Sequence, residues 1–168
     1  QCYNMFRVER PLFNRLHNTL VQSYGLKSTT KMTSVEALAM FLWIVGSPQS
    51  VRQPKNCFRR SMKTVSRTFN RVLTCILRLA HDIIVPKDPT FSEVRPNLEN
   101  PVFWPHFNDC IGAIDGTHVN VVVDKSKRVP YLNRHNKTSQ NVLAVCDFDM
   151  RFTFVMSGWP GPAHDMRV

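Results

Sequence analysis

The sequence predicts an α+β chain: a helical, helix-turn-helix-like module over residues 1–85, then a second module over residues 109–168 that opens on β-strands. Three observations carry that expectation. Residues 1–85 hold thirteen Lys or Arg against three Asp or Glu, while residues 86–168 hold nine of each, so the whole formal net charge of +10 lies in the first half. Apolar residues change from helical spacing to alternation across the same point. Between the two, residues 86–108 gather five of the eleven prolines, which regular structure cannot run through. With 43% hydrophobic and 20% charged residues, disordered and fibrous chains are excluded.

The first helix is expected over residues 10–23. Pro11 suits its first turn, Leu12, Leu16 and Leu20 recur at i+4 with Phe13 beside them, and Gly25 ends it. Thr33 and Glu36 have capping-box spacing and start a second helix. From Val35 to Val45 that helix is apolar nearly all round, which predicts the buried centre of its module, and Gly46 and Pro48 stop it.

The third segment, Ser61 to Ile84, has two faces. At about 100° per residue, Arg60, Lys63, Arg67, Arg71 and Arg78 fall within roughly 60° of one direction. Val65, Phe69, Val72, Leu73, Ile76, Leu79 and Ile83 lie opposite, Ser61 suits the N-cap, and Asp82 is the one acid in the stretch. A cationic helix after a short segment (Gln49–Phe58) and a buried helix fits a helix-turn-helix. Arg59, Arg60, Lys63, Arg67 and Arg71 would meet the phosphates of duplex DNA, with Thr64, Ser66 or Asn70 nearer the base edges. The plainer alternative is an amphipathic helix whose arginines keep it soluble.

Residues 86–108 also hold Phe91, Val94, Leu98, Phe103, Trp104 and Phe107, too many large apolar groups for a solvated tether. They read as a packed linker. Beyond it, Cys110–Val123 alternates and is β-branched, a strand with Ile111, Ala113, Asp115, Thr117, Val119 and Val121 on one face. Asp115 is thus expected to be buried, which calls for a partner or a metal ion. Gly112 and Gly116 would let another backbone or a ligand come close. Alternatively, Gly116 bends the chain and Asp115 caps a turn.

Residues 126–138 read as a loop, and residues 141–146 and 151–157 as strands joined by a hairpin turn at Asp147-Phe148-Asp149-Met150. Gly158-Trp159-Pro160-Gly161-Pro162 should break the last strand, and His164-Asp165 could open a helix. Asp115 and Asp165 are the two restrained acids, and oxygen ligands suit Mg²⁺ or Mn²⁺. Beside a basic module, such ions suggest phosphodiester chemistry.

Five widely spaced cysteines (Cys2, Cys57, Cys75, Cys110, Cys146) form no CxxC or Cys/His cluster, so reduced thiols in a cytosolic or nuclear protein fit best. The longest apolar run, Val35–Val45, is about half a membrane span, so no membrane association is expected. The chain starts at Gln1 and stops at Val168 inside a patterned segment, which reads as a fragment.

Gly112-Ala113-Ile114-Asp115-Gly116-Thr117-His118, then Gln140–Asp147, then Gly161-Pro162-Ala163-His164-Asp165-Met166-Arg167-Val168 resemble, in order, motifs of the PIF/Harbinger class of DDE transposases. That class includes the domesticated Harbinger transposase-derived nucleases. Ser34–Leu42, Phe58–Leu73 and Phe103-Trp104-Pro105 resemble the helix-turn-helix region of the same proteins. The resemblance implies that residues 109–168 are the N-terminal part of a ribonuclease H-like α/β nuclease domain whose Asp-Asp-Glu triad holds a divalent metal. Asp115 matches the first acid and Asp165 the acid of the His-Asp motif; both would be catalytic and metal-binding. Pro162 stands where the family commonly has Ser.

The third acid lies further downstream in that family, so this stretch is expected not to cut DNA by itself. The resemblance implies a nuclear protein that acts on duplex DNA, with room for a separate DNA-binding partner protein. Two other readings stand beside the nuclease: a domesticated, non-catalytic DNA- or chromatin-binding adaptor, and a plain helix-turn-helix regulator. The last leaves the carboxylate-bearing strand unexplained.

Overall fold

The computed structural model describes residues 2–46, 57–92, 98–133 and 135–160. It divides into two compact units, residues 1–82 and 83–168.

The first unit is helical. Helix α1 spans Cys2–Phe6, α2 Arg10–Ser23, α3 Ser34–Gly46 and α4 Met62–Ile83. Proline stands in the first turn of α2, where its missing N–H costs nothing. The helix stops because Gly25 takes a left-handed φ of 76°, which turns the Leu26 N–H back to the Leu20 carbonyl at 3.0 Å. Thr33 caps α3 through its Oγ1, which accepts the Glu36 N–H at 3.1 Å, and Ser61 caps α4 by accepting the Thr64 N–H at 3.3 Å.

The core joins Phe13 and Leu20 of α2 to Ala37, Leu38, Met40, Phe41 and Leu42 of α3 and Val65, Val72 and Cys75 of α4. Phe41 stacks on Phe69 with ring centroids 4.9 Å apart. Two expectations need correction. Helix α3 is central, but Val35 and Val45 at its ends are 48% and 57% exposed, because packing covers only its middle turns. Ile83, placed on the packing face of α4, is 63% exposed at the end of the helix. Thr68 is buried in its stead, its hydroxyl donating to the Met32 sulfur at 3.5 Å.

The second unit carries a three-stranded antiparallel sheet in the order β1 (Ala113–Asn120), β2 (Ser139–Cys146), β3 (Phe152–Pro160). Asp115 lies opposite Ala144, and Thr117 opposite Val142. Alternation shows on β2, where Ser139, Asn141 and Leu143 are buried in sequence steps of two. The hairpin between β2 and β3 forms where its Asp-rich turn predicts it. Asp147 Oδ1 accepts the N–H groups of Asp149 and Arg151, both at 2.9 Å, and Met150 takes a φ of 61°.

β3 does not end before Gly158 but runs through Gly158, Trp159 and Pro160. Gly158 has a φ of 102°, and the pairing slips there from Leu143–Met156 to Asn141–Trp159. One extra residue on β3 is absorbed as a bulge, so a glycine read as a breaker bends the strand without ending it. Gly112 serves the close approach expected of it: a Cβ there would collide with the Cys146 carbonyl oxygen. In the linker Leu98 is buried, while Phe91, Phe103, Trp104 and Phe107 keep much of their surface exposed. The segment expected as a loop over residues 126–138 holds two short 3₁₀ turns, Lys125–Lys127, which starts one residue earlier, and Val129–Tyr131.

Candidate functional site

Asp115 is the acid that the strand presents. Its carboxylate is exposed, and Oδ1 accepts the N–H of the next residue, Gly116, at 2.8 Å. The expected burial is therefore overturned. β1 pairs with β2 along one edge, and its residues on both faces are largely open, as the 65% exposure of neighbouring Ile114 shows. Alternation places Asp115 on a face, but it does not cover that face. A carboxylate in water bears no desolvation cost and needs no partner there. As a hard oxygen donor whose Oδ2 takes no hydrogen bond among the described residues, Asp115 fits a divalent cation as one ligand. Among the described residues no three His, Cys, Asp or Glu side chains come together as a metal site. Asp165 lies outside the described residues.

The cations of the first unit fall into three kinds. Lys63, Arg67 and Arg78 on α4 are exposed, as are Ser66 and Asn70 on the same helix. Arg60 is not free for a phosphate: Nε and Nη2 meet the two carboxylate oxygens of Glu36, each at 3.0 Å. Glu36, predicted to complete a capping box, spends its carboxylate on that pair. Thr64 is likewise occupied, with its hydroxyl 3.0 Å from that of Ser61. Arg71 is half-buried, and its Nε and Nη2 are shut off from solvent without a hydrogen-bond partner among the described residues.

Arg59, Arg60, Arg67 and Arg71 line one cavity together with the Thr29–Met32 turn. Lys31 and Thr30 of that turn were not singled out by helical spacing, because they precede α3 and belong to no periodic segment. A basic residue set between threonines beside a helix cap was the signal available. The residues of the expected turn (Gln49–Phe58) lie outside the described residues except for Cys57 and Phe58. Phe58 packs edge-on against Trp43, with centroids 6.2 Å apart.

Residues 1–78 match the family described as "Domain of unknown function (DUF8040)", and residues 114–168 match the family described as "DDE superfamily endonuclease". Asp115 is the second residue of the latter match. "Protein ALP1-like" of Arabidopsis thaliana is 27% identical over 173 residues, which cover 96% of this chain and 41% of that protein. "Putative nuclease HARBI1" of Rattus norvegicus is 36% identical over 58 residues, 34% of this chain and 17% of that protein. The resemblance to Harbinger transposase-derived nucleases is borne out. This chain spans less than half the length of either relative. Its DDE segment supplies β1, β2 and β3 nearly whole. No solved structure matches. Among the described residues no helix is long and apolar enough to cross a membrane.

Proposed function

We propose that this chain belongs to a nuclear, PIF/Harbinger-type DDE nuclease that binds duplex DNA through its first unit and hydrolyses or transfers phosphodiesters with a divalent metal. The observation that carries the reading is the pairing of two features in one chain. A DDE segment bears an exposed Asp115 on its first strand, and a separate helical unit bears a row of exposed cations on α4. Asp115 and Asp165 would be the first and second metal ligands, holding Mg²⁺ or Mn²⁺, both oxygen-seeking ions. When bound there, the ion would supply activation of the attacking oxygen and stabilisation of the leaving one.

On the DNA side, Lys63 and Arg67 contact backbone phosphates, with Arg59 and Arg71 beside them and Ser66 and Asn70 facing the groove, as the second helix of a helix-turn-helix would. Arg60 supports the helix through Glu36 and contributes charge only indirectly. The test is fluorescence anisotropy with a labelled duplex at two salt concentrations. Binding should weaken steeply with salt, and the slope should fall when Lys63→Ala and Arg67→Ala are combined. Unchanged affinity and slope in that double variant would sink the reading.

A further inference from the structure

We propose that the cavity between the Thr29–Met32 turn and the start of α4 is a seat for one phosphate group. It measures about 560 Å³ and is lined by Lys31, Arg59, Arg60, Arg67 and Arg71, with no carboxylate among its lining residues. Glu36 neutralises Arg60, which leaves four cations facing one small space without a counter-charge.

Arg71 is the sharpest sign. A guanidinium stays charged at any physiological pH, and each of its N–H groups needs an acceptor. Two of its nitrogens, Nε and Nη2, have neither water contact nor a partner among the described residues. Closed to water, those two atoms are closed to a ligand in the cavity as well, and they leave positive charge uncompensated among the described residues beside it; a cavity walled by cations selects an anion. Thr30 adds a hydroxyl, and the cavity sits at the N-terminus of a 22-residue helix, whose first N–H groups favour the same charge. A tetrahedral phosphate offers enough oxygens to meet an arginine fork, a lysine and a hydroxyl together. The volume well exceeds one such group, so there is room for the ester carbons on either side. The ligand is therefore a phosphodiester of the nucleic-acid backbone, an assignment that rests on the proposed DNA contact.

The test uses this 168-residue chain, with inorganic phosphate as the probe and ionic strength held constant with chloride. Phosphate should raise the melting temperature saturably; Arg71→Gln should abolish the rise and Arg78→Gln should preserve it. If Arg71→Gln does not fold, Lys31→Gln carries the same expectation. In a second arm, phosphate should displace a labelled duplex, and Arg71→Gln should weaken duplex binding about tenfold. No rise with phosphate, or an equal rise in Arg71→Gln, overturns the seat. Duplex binding that depends on Lys63 and Arg67 then still supports the DNA reading. A phosphate rise that needs Arg71, with no duplex binding, overturns the DNA reading and assigns the seat to a free phosphate group.

Discussion

Arg60 and Glu36, 24 residues apart, form a two-pronged ion pair in which Nε and Nη2 each meet a different carboxylate oxygen at 3.0 Å. The pair ties the approach to α4 to the first turn of α3. Both side chains are about 30% exposed (31% and 27%), so water screens the attraction only in part. Fork-on-carboxylate geometry is the strong form of a surface pair. A double-mutant cycle with Glu36→Gln and Arg60→Met, read by urea denaturation, should give a coupling of about 1 kcal/mol. A coupling near zero would show the two groups to be independent.

That pair marks one limit of what the chain discloses in one dimension. Pro11 and Gly25 frame α2, Thr33 caps α3, and Asp147 builds the hairpin, because each acts on backbone close to itself in the chain. Arg60 was placed on a phosphate-facing row by its angle alone. Arg60 precedes α4 and its partner sits on α3, and no periodicity reports a contact between separate segments. Asp115 illustrates the same limit in a sheet. Alternation assigns its face, while exposure depends on whatever packs on that face. Gly158 shows a third kind: a positive φ ends a strand or bulges it according to the neighbouring strand's register.

Gly112 should not tolerate even a methyl group. A Cβ at this position would meet the Cys146 carbonyl oxygen, and its nearest neighbours are all backbone atoms of Cys146 and Asp147, so nothing flexible is there to give way. Gly112→Ala is expected to destabilise the second unit by about 1–3 kcal/mol, the usual cost of overpacking. Thermal melts of the variant should show the lower midpoint; an unchanged one would mean that β1 and β2 part without penalty.

The helical core rests on side chains that cannot be replaced locally. Leu38 of α3 is completely buried within the core cluster that joins α2, α3 and α4. Leu38→Ala should cost about 2–5 kcal/mol, from lost transfer energy and the cavity left behind. Val35→Ala, on the same helix but 48% exposed, should cost far less. Equal losses for the two would contradict the packing described for α3.

Tyr24 and Asp82 make stability depend on pH at both extremes. The Tyr24 hydroxyl donates to Asp82 Oδ2 at 2.8 Å. That bond, with help from His81, holds the Asp82 carboxyl below its ordinary range, and the same bond pushes the Tyr24 phenol up. A lowered carboxyl stabilises the fold above its unfolded value, about pH 4, and that contribution fades as pH falls through the folded value. A raised phenol stabilises below its unfolded value, about pH 10, and that contribution is lost as pH rises through the folded value. The gap in melting temperature between the unmodified chain and Tyr24→Phe should therefore be constant across neutral pH and close at both ends. A gap that widens in acid would show that Asp82 gains nothing from the bond.

Metal binding puts Asp115 to its own test. Its carboxylate is exposed, with Oδ1 held by the Gly116 N–H and Oδ2 taking no hydrogen bond among the described residues. Asp115, even with Asp165 as the proposed second ligand, leaves most positions of a divalent ion to water, so the affinity for Mn²⁺ should be weak. Asp115→Asn keeps the shape and removes the charge that an oxygen-seeking ion requires. Calorimetric titration should show heat of Mn²⁺ binding for the unmodified chain that the variant lacks, with Asp124→Asn behaving like the unmodified chain. Asp124 serves as the control for non-specific binding because it is another exposed carboxylate of the same unit, its Oδ1 likewise held, by the hydroxyl and backbone N–H of Ser126, which keep it below its ordinary range. Identical titrations for Asp115→Asn and the unmodified chain would remove Asp115 from the metal site. The basic face of α4 would then be left as the main support for a nucleic-acid function.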